Sequence, residues 1–450
     1  MGRLPAIIVS ASLLLAMYGC GDTAQLPADA SVGPEPEIPA PRHEAIPTVH
    51  IAPAKGWASG ATPQVAEGLS VHAFAEGLDH PRWLYVLPNG DVLVAETNAP
   101  PKPEDGKGIT AWFVKRAQTK AGAGVPSANR ITLLRDADKD GVAETRTVFL
   151  GGLYSPFGMA LVGDSFYVAN TQAVVRFPYR TGATKISAVG TIAAELPAGP
   201  INHHWTKNII ASADGKRLYA TVGSNSNAGE NGIAKEDRRA SILEIDLATG
   251  ASRVFASGLR NPNGLGWERT TGALWTVVNE RDELGSDLVP DYLTSVEDGA
   301  FYGWPYSYFG QHVDERVKPP RPDLVEKAVV PDYALGAHVA PLGMVFASGK
   351  GLPERFSEGV FVGQHGSWNR HPFNGYNVVF VPFSNGRPAG KPVEVLSGFV
   401  DSKDEALGRP VGVAIDATGA LLVADDVGNT IWRVETDTTV QVSSAAGPRG

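Results

Sequence analysis

Gly258-Leu259-Arg260-Asn261-Pro262-Asn263-Gly264-Leu265, followed across a short turn by Leu274-Trp275-Thr276-Val277, states a phrase that the chain makes six times. Each copy has a turn of small residues, often with proline, then an alternating apolar strand, a Gly or Asp turn, and a second apolar strand. Two earlier copies run from Gly77-Leu78-Asp79-His80-Pro81 to Val92-Leu93-Val94-Ala95 and from Pro156-Phe157-Gly158-Met159 to Phe166-Tyr167-Val168-Ala169. A third runs from Pro200-Ile201-Asn202-His203-His204 to Leu218-Tyr219-Ala220-Thr221-Val222. The last two pair Pro341-Leu342-Gly343 with Val360-Phe361-Val362, and Pro410-Val411-Gly412-Val413 with Leu421-Leu422-Val423-Ala424. Short strands of period two, repeated with a shared phrase, predict an all-β, six-bladed β-propeller. The anchors fall further apart than the roughly 40 to 50 residues of compact repeats, which predicts long inserted loops. A pair of β-sandwiches would show the strands without the phrase.

Composition agrees. Gly 51 and Pro 34 in 450 residues exceed ordinary usage, and charged residues fall to 19%. Such a chain turns often. A net charge of −9 without a basic run argues against a nucleic-acid partner or an anionic-lipid surface held by charge. One cysteine excludes an intramolecular disulfide, a zinc cluster and protein-ligated iron–sulfur chemistry. The short signatures of nucleotide binding, zinc proteolysis and elbow-serine hydrolysis are absent.

The apolar run from Leu4 to Gly19, preceded by Arg3, reads as a signal peptide over residues 1–19. Cys20, which follows Gly19, reads as the lipidated first residue of a bacterial lipoprotein, and an ordinary signal peptide is the alternative. Residues 20–65, Pro-rich around Pro34-Glu35-Pro36, predict an extended lipid-anchored tether. The propeller then covers 66–435, and 436–450 is a disordered tail. These readings place the protein in the bacterial periplasm or cell envelope, anchored at the outer membrane.

In a propeller, residues just before each inner strand gather at one mouth of the central channel. In phase there stand His80, Ser155, His203, His204, Arg260, Asn261, His338 and Arg409. Each alone reads as an ordinary loop residue, whereas the set reads as a pocket with convergent polar groups.

Leu259-Arg260-Asn261-Pro262-Asn263-Gly264-Leu265, Asn279-Glu280-Arg281-Asp282-Glu283 and Tyr302-Gly303-Trp304-Pro305 resemble, in order, phrases of the soluble quinoprotein glucose dehydrogenase and L-sorbosone dehydrogenase family. The resemblance covers about residues 66 to 435. Gly199-Pro200-Ile201-Asn202-His203-His204-Trp205 and Gly363-Gln364-His365-Gly366-Ser367-Trp368-Asn369-Arg370 are most similar to the sorbosone branch. It implies a six-bladed propeller that binds pyrroloquinoline quinone (PQQ) and calcium and oxidises a sugar or aldehyde. By resemblance His204, ten residues before Asp214, is the general base, although Thr206-Lys207 lacks the family's glycine. Arg260 is then the electrophilic partner of the quinone, and Asn261 its neighbouring donor. Calcium would be held by the carbonyls of Asp282 and Glu283. A histidine near neutral pKa suits the base, and a guanidinium suits charge developing on a quinone oxygen.

Where the glucose enzyme has Arg-X-Arg, this chain has Arg409-Pro410-Val411, and the family's fifth-blade lysine is missing. The cofactor-binding set is therefore expected to be Arg409 with His203, His338, His365 and Arg370. A small sugar or aldehyde is the expected substrate, and a cytochrome or quinone pool the electron acceptor. A calcium-dependent propeller lactonase and a non-catalytic binding propeller are the competing readings. Asp136-Ala137-Asp138-Lys139-Asp140-Gly141 reads chiefly as an acidic hairpin turn and secondarily as the opening of a structural calcium loop.

Overall fold

The computed structural model describes residues 21–43, 48–101 and 119–438. Residues 1–19 and Cys20 lie outside these ranges, as does 439–450 of the expected tail.

Six antiparallel sheets stand around an axis, and the repeated phrase supplies the inner strands. Blade 1 is Pro81–Val86, Val92–Glu96, Arg130–Arg135 and Thr145–Leu150. Blade 2 is Met159–Val162, Ser165–Ala169, Ala173–Pro178 and Thr191–Glu195. Blade 3 is Ile209–Ala211, Arg217–Val222, Ser241–Asp246 and Ser252–Ser257. Blade 4 is Asn261–Trp267, Leu274–Asn279, Pro290–Val296 and Tyr333–Ala337, and blade 5 is Pro341–Phe346, Gly359–Gln364, Asn377–Ser384 and Val393–Ser397. Blade 6 takes Pro410–Ile415, Leu421–Asp425 and Thr430–Thr436 from the end of the domain and Leu69–Ala75 from its start. Thr436 pairs with Leu69 and Ile431 with Ala75, so this blade closes the ring.

The phrase has a steric reason. In blades 4, 5 and 6 the ladder skips between Pro262 and Leu265, Pro341 and Met344, and Pro410 and Val413. The skipped Pro-X-Gly step turns backbone toward the neighbouring blade. A Cβ on Gly264 would lie 2.6 Å from Met344 Cγ, one on Gly412 would lie 2.8 Å from the Arg82 carbonyl, and one on Gly343 would strike the Val411 carbonyl. Adjacent inner strands approach so closely that only glycine fits.

The second strand of each blade is mostly apolar because neighbouring blades cover both of its faces. Val92–Glu96, Ser165–Ala169, Gly359–Gln364 and Leu421–Asp425 are buried throughout. Apolar layers form between blades; one joins Trp275 and Val277 to Val360 and Val379, and another joins Phe361 and Phe380 to Leu421 and Trp432.

The Pro-rich segment expected as an extended tether is extended, and its described residues dock on the propeller. Val32–Gly33 adds a strand to blade 4 along Tyr333–Ala337, and Gln64–Val65 adds one to blade 5. Arg42 bridges Asp22 and Asp287 at 2.8 Å each, and Trp57 Nε1 donates to Asp425 at 2.7 Å. Low aromatic content misled the reading, because edge-strand pairing uses backbone groups that any residue carries.

Candidate active site at the channel mouth

In an antiparallel blade the first strand starts and the second ends at the same mouth. Residues before the inner strands therefore meet residues that follow Ala169, Val222, Asn279, Gln364 and Asp425. The starts were marked by the phrase. The ends contribute Ser224, Asn227 and Asp426, which sequence reasoning did not assign to the site.

His80 and Ser155 hold the turns before their inner strands with φ of 53° and 43°, and both are buried. Asn202, rather than His203 or His204, holds the left-handed turn in blade 3, with φ 40°. His203 is exposed and packs edge-on against His204, ring centroids 5.1 Å apart. His204 is half-buried, with Nδ1 2.8 Å from the Ser224 carbonyl and 3.0 Å from the Ser224 hydroxyl. A carbonyl only accepts, so Nδ1 carries the proton and Nε2 keeps its lone pair. Burial, reinforced by Arg260 and His203, holds this imidazole well below its ordinary pKa. Asn261 shares the corner: a Cβ on Gly223 would strike both Asn261 Oδ1 and His204. That Asn261 oxygen is buried without a partner. Asp214, by contrast, is in the turn at the other end of the inner strand, bonded to Ser212 and Lys216. The ten-residue spacing spans an inner strand and is not a contact.

Arg260 is buried with every donor engaged. Nε donates to the Asn227 carbonyl (3.2 Å), Nη1 to the carbonyls of Asn279 (3.4 Å) and Glu280 (2.6 Å), and Nη2 to Asn227 Oδ1 (2.9 Å) and Asp282 Oδ2 (2.8 Å). With five N–H donors in five bonds, it has none left for a quinone oxygen, which corrects the expected electrophilic role. It holds the 279–282 loop against Asn227 and places a positive charge near His204.

The Asp282 carbonyl, an expected calcium ligand, accepts from Asn227 Nδ2 (3.1 Å) and Arg316 Nη1 (3.2 Å). Its carboxylate takes Arg260 on one oxygen and Asn369 Nδ2 (2.9 Å) on the other. Glu283, at φ 70°, turns its side chain outward, 60% exposed. The oxygens of Asp282 are thus already taken by N–H donors, which does not suit an ion that takes six to eight oxygen ligands.

A second corner forms where blades 5, 6 and 1 meet. Asp426 accepts from Arg82 Nη1 (2.8 Å) and His365 Nε2 (3.0 Å), and its carbonyl lies 3.0 Å from His80 Nδ1. Burial opposes ionisation of Asp426, but His365, His80 and Arg82 outweigh it and hold the carboxyl well below its usual range. Arg409 adds a second guanidinium, stacked 5.0 Å from the Tyr376 ring and bonded to Tyr376 Oη and the Ala52 carbonyl. Arg82 Nε and Arg409 Nε are buried without partners.

Two of the histidines expected as cations are neutral at pH 7. Burial lowers His365 to about 4 and also lowers His338, which bonds the Gly285 carbonyl 3.0 Å away. The positive charge comes from Arg82 and Arg409; only Arg409 was anticipated. Arg370 is engaged elsewhere, donating to the Ser286 and Pro372 carbonyls beneath the docked N-terminal segment.

A cleft of about 380 Å³ opens beside the base, lined by Pro101, Tyr154, Gln172, Ile201, His203 and Trp205. Trp205 also faces Arg82, 6.0 Å from its guanidinium, and so lies between the two corners. The acidic turn gathers Asp136, Asp138, Asp140 and Glu144, but Asp136 accepts from Lys139 N and Gly141 N, and Glu144 from Ala137 N. It is an exposed hairpin turn of carboxylate-to-backbone bonds.

Comparison with known proteins converges on one group. Residues 162–367 match the family described as Glucose / Sorbosone dehydrogenase, and 324–437 match TrAA12-like. An uncharacterized protein of Borreliella burgdorferi is 30% identical over 245 residues, covering 54% of this chain and 63% of that protein. A pyrroloquinoline quinone-dependent pyranose dehydrogenase of Coprinopsis cinerea is 24% identical over 294 residues, covering 52% and 40%. The chain thus spans less than two thirds of the length of either. The calcium structure of a Trichoderma reesei Carbohydrate-Active Enzymes Family AA12 protein superposes with a TM-score of 0.67 at 18% identity, covering 86% of this chain and 98% of that one. With the phrase, the closed ring and these matches together, the chain is a six-bladed propeller whose residues 162–367 match the glucose/sorbosone dehydrogenase family.

Proposed function

We propose that the protein is a quinoprotein dehydrogenase that oxidises a sugar or a related aldehyde at this mouth. The observation that carries the reading is His204: with Nδ1 donating to a backbone carbonyl, Nε2 is an acceptor kept unprotonated at neutral pH. Such a group removes the O–H proton of an alcohol or aldehyde hydrate. Asn261 Oδ1, buried and unpaired beside it, is an acceptor that orients a second hydroxyl.

The residues at the second corner fit a cofactor that carries carboxylates. Arg82 pairs with Asp426, Arg409 bonds Tyr376 and the Ala52 carbonyl instead of a carboxylate, and each guanidinium keeps an unpartnered buried Nε. These two arginines would hold an anionic quinone such as PQQ, the cofactor in the name of the Coprinopsis relative. A bound ortho-quinone supplies the acceptor for the hydride that leaves carbon. Arg260 contributes indirectly by fixing the loop and keeping His204 neutral.

The test loads the full chain with PQQ, removes free cofactor by gel filtration, and follows absorbance and dye-linked oxidation across aldoses, sorbosone and simple aldehydes. Retained quinone and turnover of at least one sugar or aldehyde are expected. Absence of retained quinone would refute the reading and favour a binding propeller. The lactonase reading has less support, because Asp282 and Asp426 are both committed to arginines.

The same proposal includes export, a lipid at Cys20, and electron transfer to an external cytochrome or quinone pool. Mass spectrometry of the mature amino terminus checks the first two, with a diacylglyceryl-modified Cys20 expected and an unmodified thiol refuting the anchor.

A further inference from the structure

The carbonyls of Asn279, Glu280 and Asp282 and both carboxylate oxygens of Asp282 accept from N–H groups, mostly guanidinium nitrogens, which leaves Glu280 Oε1 as the buried side-chain oxygen of the loop without a partner, one where a calcium ion takes six to eight. Arg260 takes the carbonyls of Asn279 and Glu280 and Asp282 Oδ2; Arg316 takes the Asp282 carbonyl and lies 3.9 Å from Glu283 Oε2. Asn227 Nδ2 occupies the other lone pair of the Asp282 carbonyl, and Asn369 Nδ2 the remaining carboxylate oxygen. A divalent cation at this loop would have to displace these donors and sit beside two fixed positive charges. Like charges in a partly buried site repel strongly, and a divalent ion doubles the charge that each guanidinium would face. Two guanidiniums carry the same total charge as one Ca²⁺.

We infer that Arg260 and Arg316 replace a calcium ion at this loop, and that the propeller is complete without a metal there. The pairing is supported from behind. Arg316 is oriented by Asp314 through Nε (2.9 Å) and Nη2 (2.7 Å), and Asp314 is in turn bonded to the fully buried Arg281 at 2.8 Å. These neighbours hold the carboxyl of Asp314 far below its ordinary range although burial opposes them. Arg316 is therefore positioned by a rigid partner, as a structural ion would be positioned by its ligands. The inference concerns the loop's charge and stands whether or not the proposed oxidation is correct.

Metal content tests it without using activity. The full chain carrying Asp138→Asn and Asp140→Asn, which remove the exposed acidic turn as a competing site, is equilibrated with calcium, freed of excess and measured by elemental analysis. Calcium far below one ion per chain is expected, with a thermal midpoint that moves neither with chelator nor with added calcium. Near-stoichiometric calcium, lost to chelator together with a fall in the midpoint, would overturn the inference. A second arm uses Arg316→Gln, in which Asp314 keeps Arg281 as a partner. This variant should melt lower than its parent and recover part of the difference in excess calcium, because the freed carbonyl can then join an ion. A folded Arg316→Gln variant whose midpoint ignores calcium would overturn the exchange of guanidinium for metal.

Discussion

Replacing His204 by alanine separates the proposed chemistry from simple ligand binding. Removing a positioned base typically lowers the rate about 10²- to 10⁴-fold, which is about 2.7 to 5.5 kcal/mol of barrier. The upper part of that range is expected, because the imidazole is already in the active tautomer and needs no deprotonation at pH 7. Even at an ordinary pKa of about 6.5, about three quarters of the rings would be neutral at pH 7, and burial with Arg260 raises that share. The sign follows directly. Since the pKa is lowered, the neutral and active form persists to more acid pH, so the acid limb of kcat/KM should fall below pH 6.5. His203→Ala should keep nearly full turnover, since His203 is exposed and lines the cleft without holding the Ser224 contact that orients His204. It should also shift the acid limb slightly upward, because His203 is one of the groups that depress His204. The assay is dye-linked oxidation by quinone-loaded protein, with retained quinone measured on the same sample. Wild-type turnover by His204→Ala at full quinone occupancy, or a wild-type acid limb above pH 6.5, would refute the assignment.

Gly343→Ala should destabilise the ring by about 1 to 3 kcal/mol in denaturant unfolding, because its Cβ would strike the Val411 carbonyl of the next blade. Asp426→Asn leaves Arg82 buried without its anion and should cost about 3 to 5 kcal/mol in the cofactor-free protein. Quinone-loaded protein should show a smaller deficit, since a carboxylate of the cofactor replaces the lost charge; an equal deficit would argue against Arg82 as a cofactor cation. The His365 ring should remain neutral at pH 5 and titrate near pH 4, as read from its NMR shifts; protonation near pH 6.5 would show that burial does not govern it.

The fold was legible because its most restrictive contact is written in three adjacent residues. Pro262-Asn263-Gly264, Pro341-Leu342-Gly343 and Pro410-Val411-Gly412 each mark the place where two inner strands touch, and no other residue substitutes for that glycine. The pairing of Leu69–Ala75 with the final strand was not legible, since nothing local in either segment names a partner so distant in sequence. At the mouth, the starts of inner strands carry a proline and could be counted. The ends of second strands carry no such mark, so Asp426 goes unmarked and Ser224 reads only as a turn residue near the pocket, although they follow Val423-Ala424-Asp425 and Thr221-Val222-Gly223. Charge was misjudged at His338 and His365 because residue type reports the ordinary pKa and burial decides the actual one. Arg260 was found, but its five partners come from residues 227 to 282 and only folding shows that they exhaust it.

Closure of blade 6 by the strand at Leu69–Ala75 bears on how the molecule is made and lost. During synthesis this early strand has no partner until residue 436 has emerged, so it waits through the production of five other blades. Until then Phe74 and Leu78, later packed against Leu84 and Leu422, face water. A premature stop anywhere between blade 2 and Thr430 would therefore not yield a smaller working propeller. It would leave an open arc with a solvent-facing apolar layer at each end, a form suited to aggregation and to capture by proteases. The domain's dosage is set by whole chains.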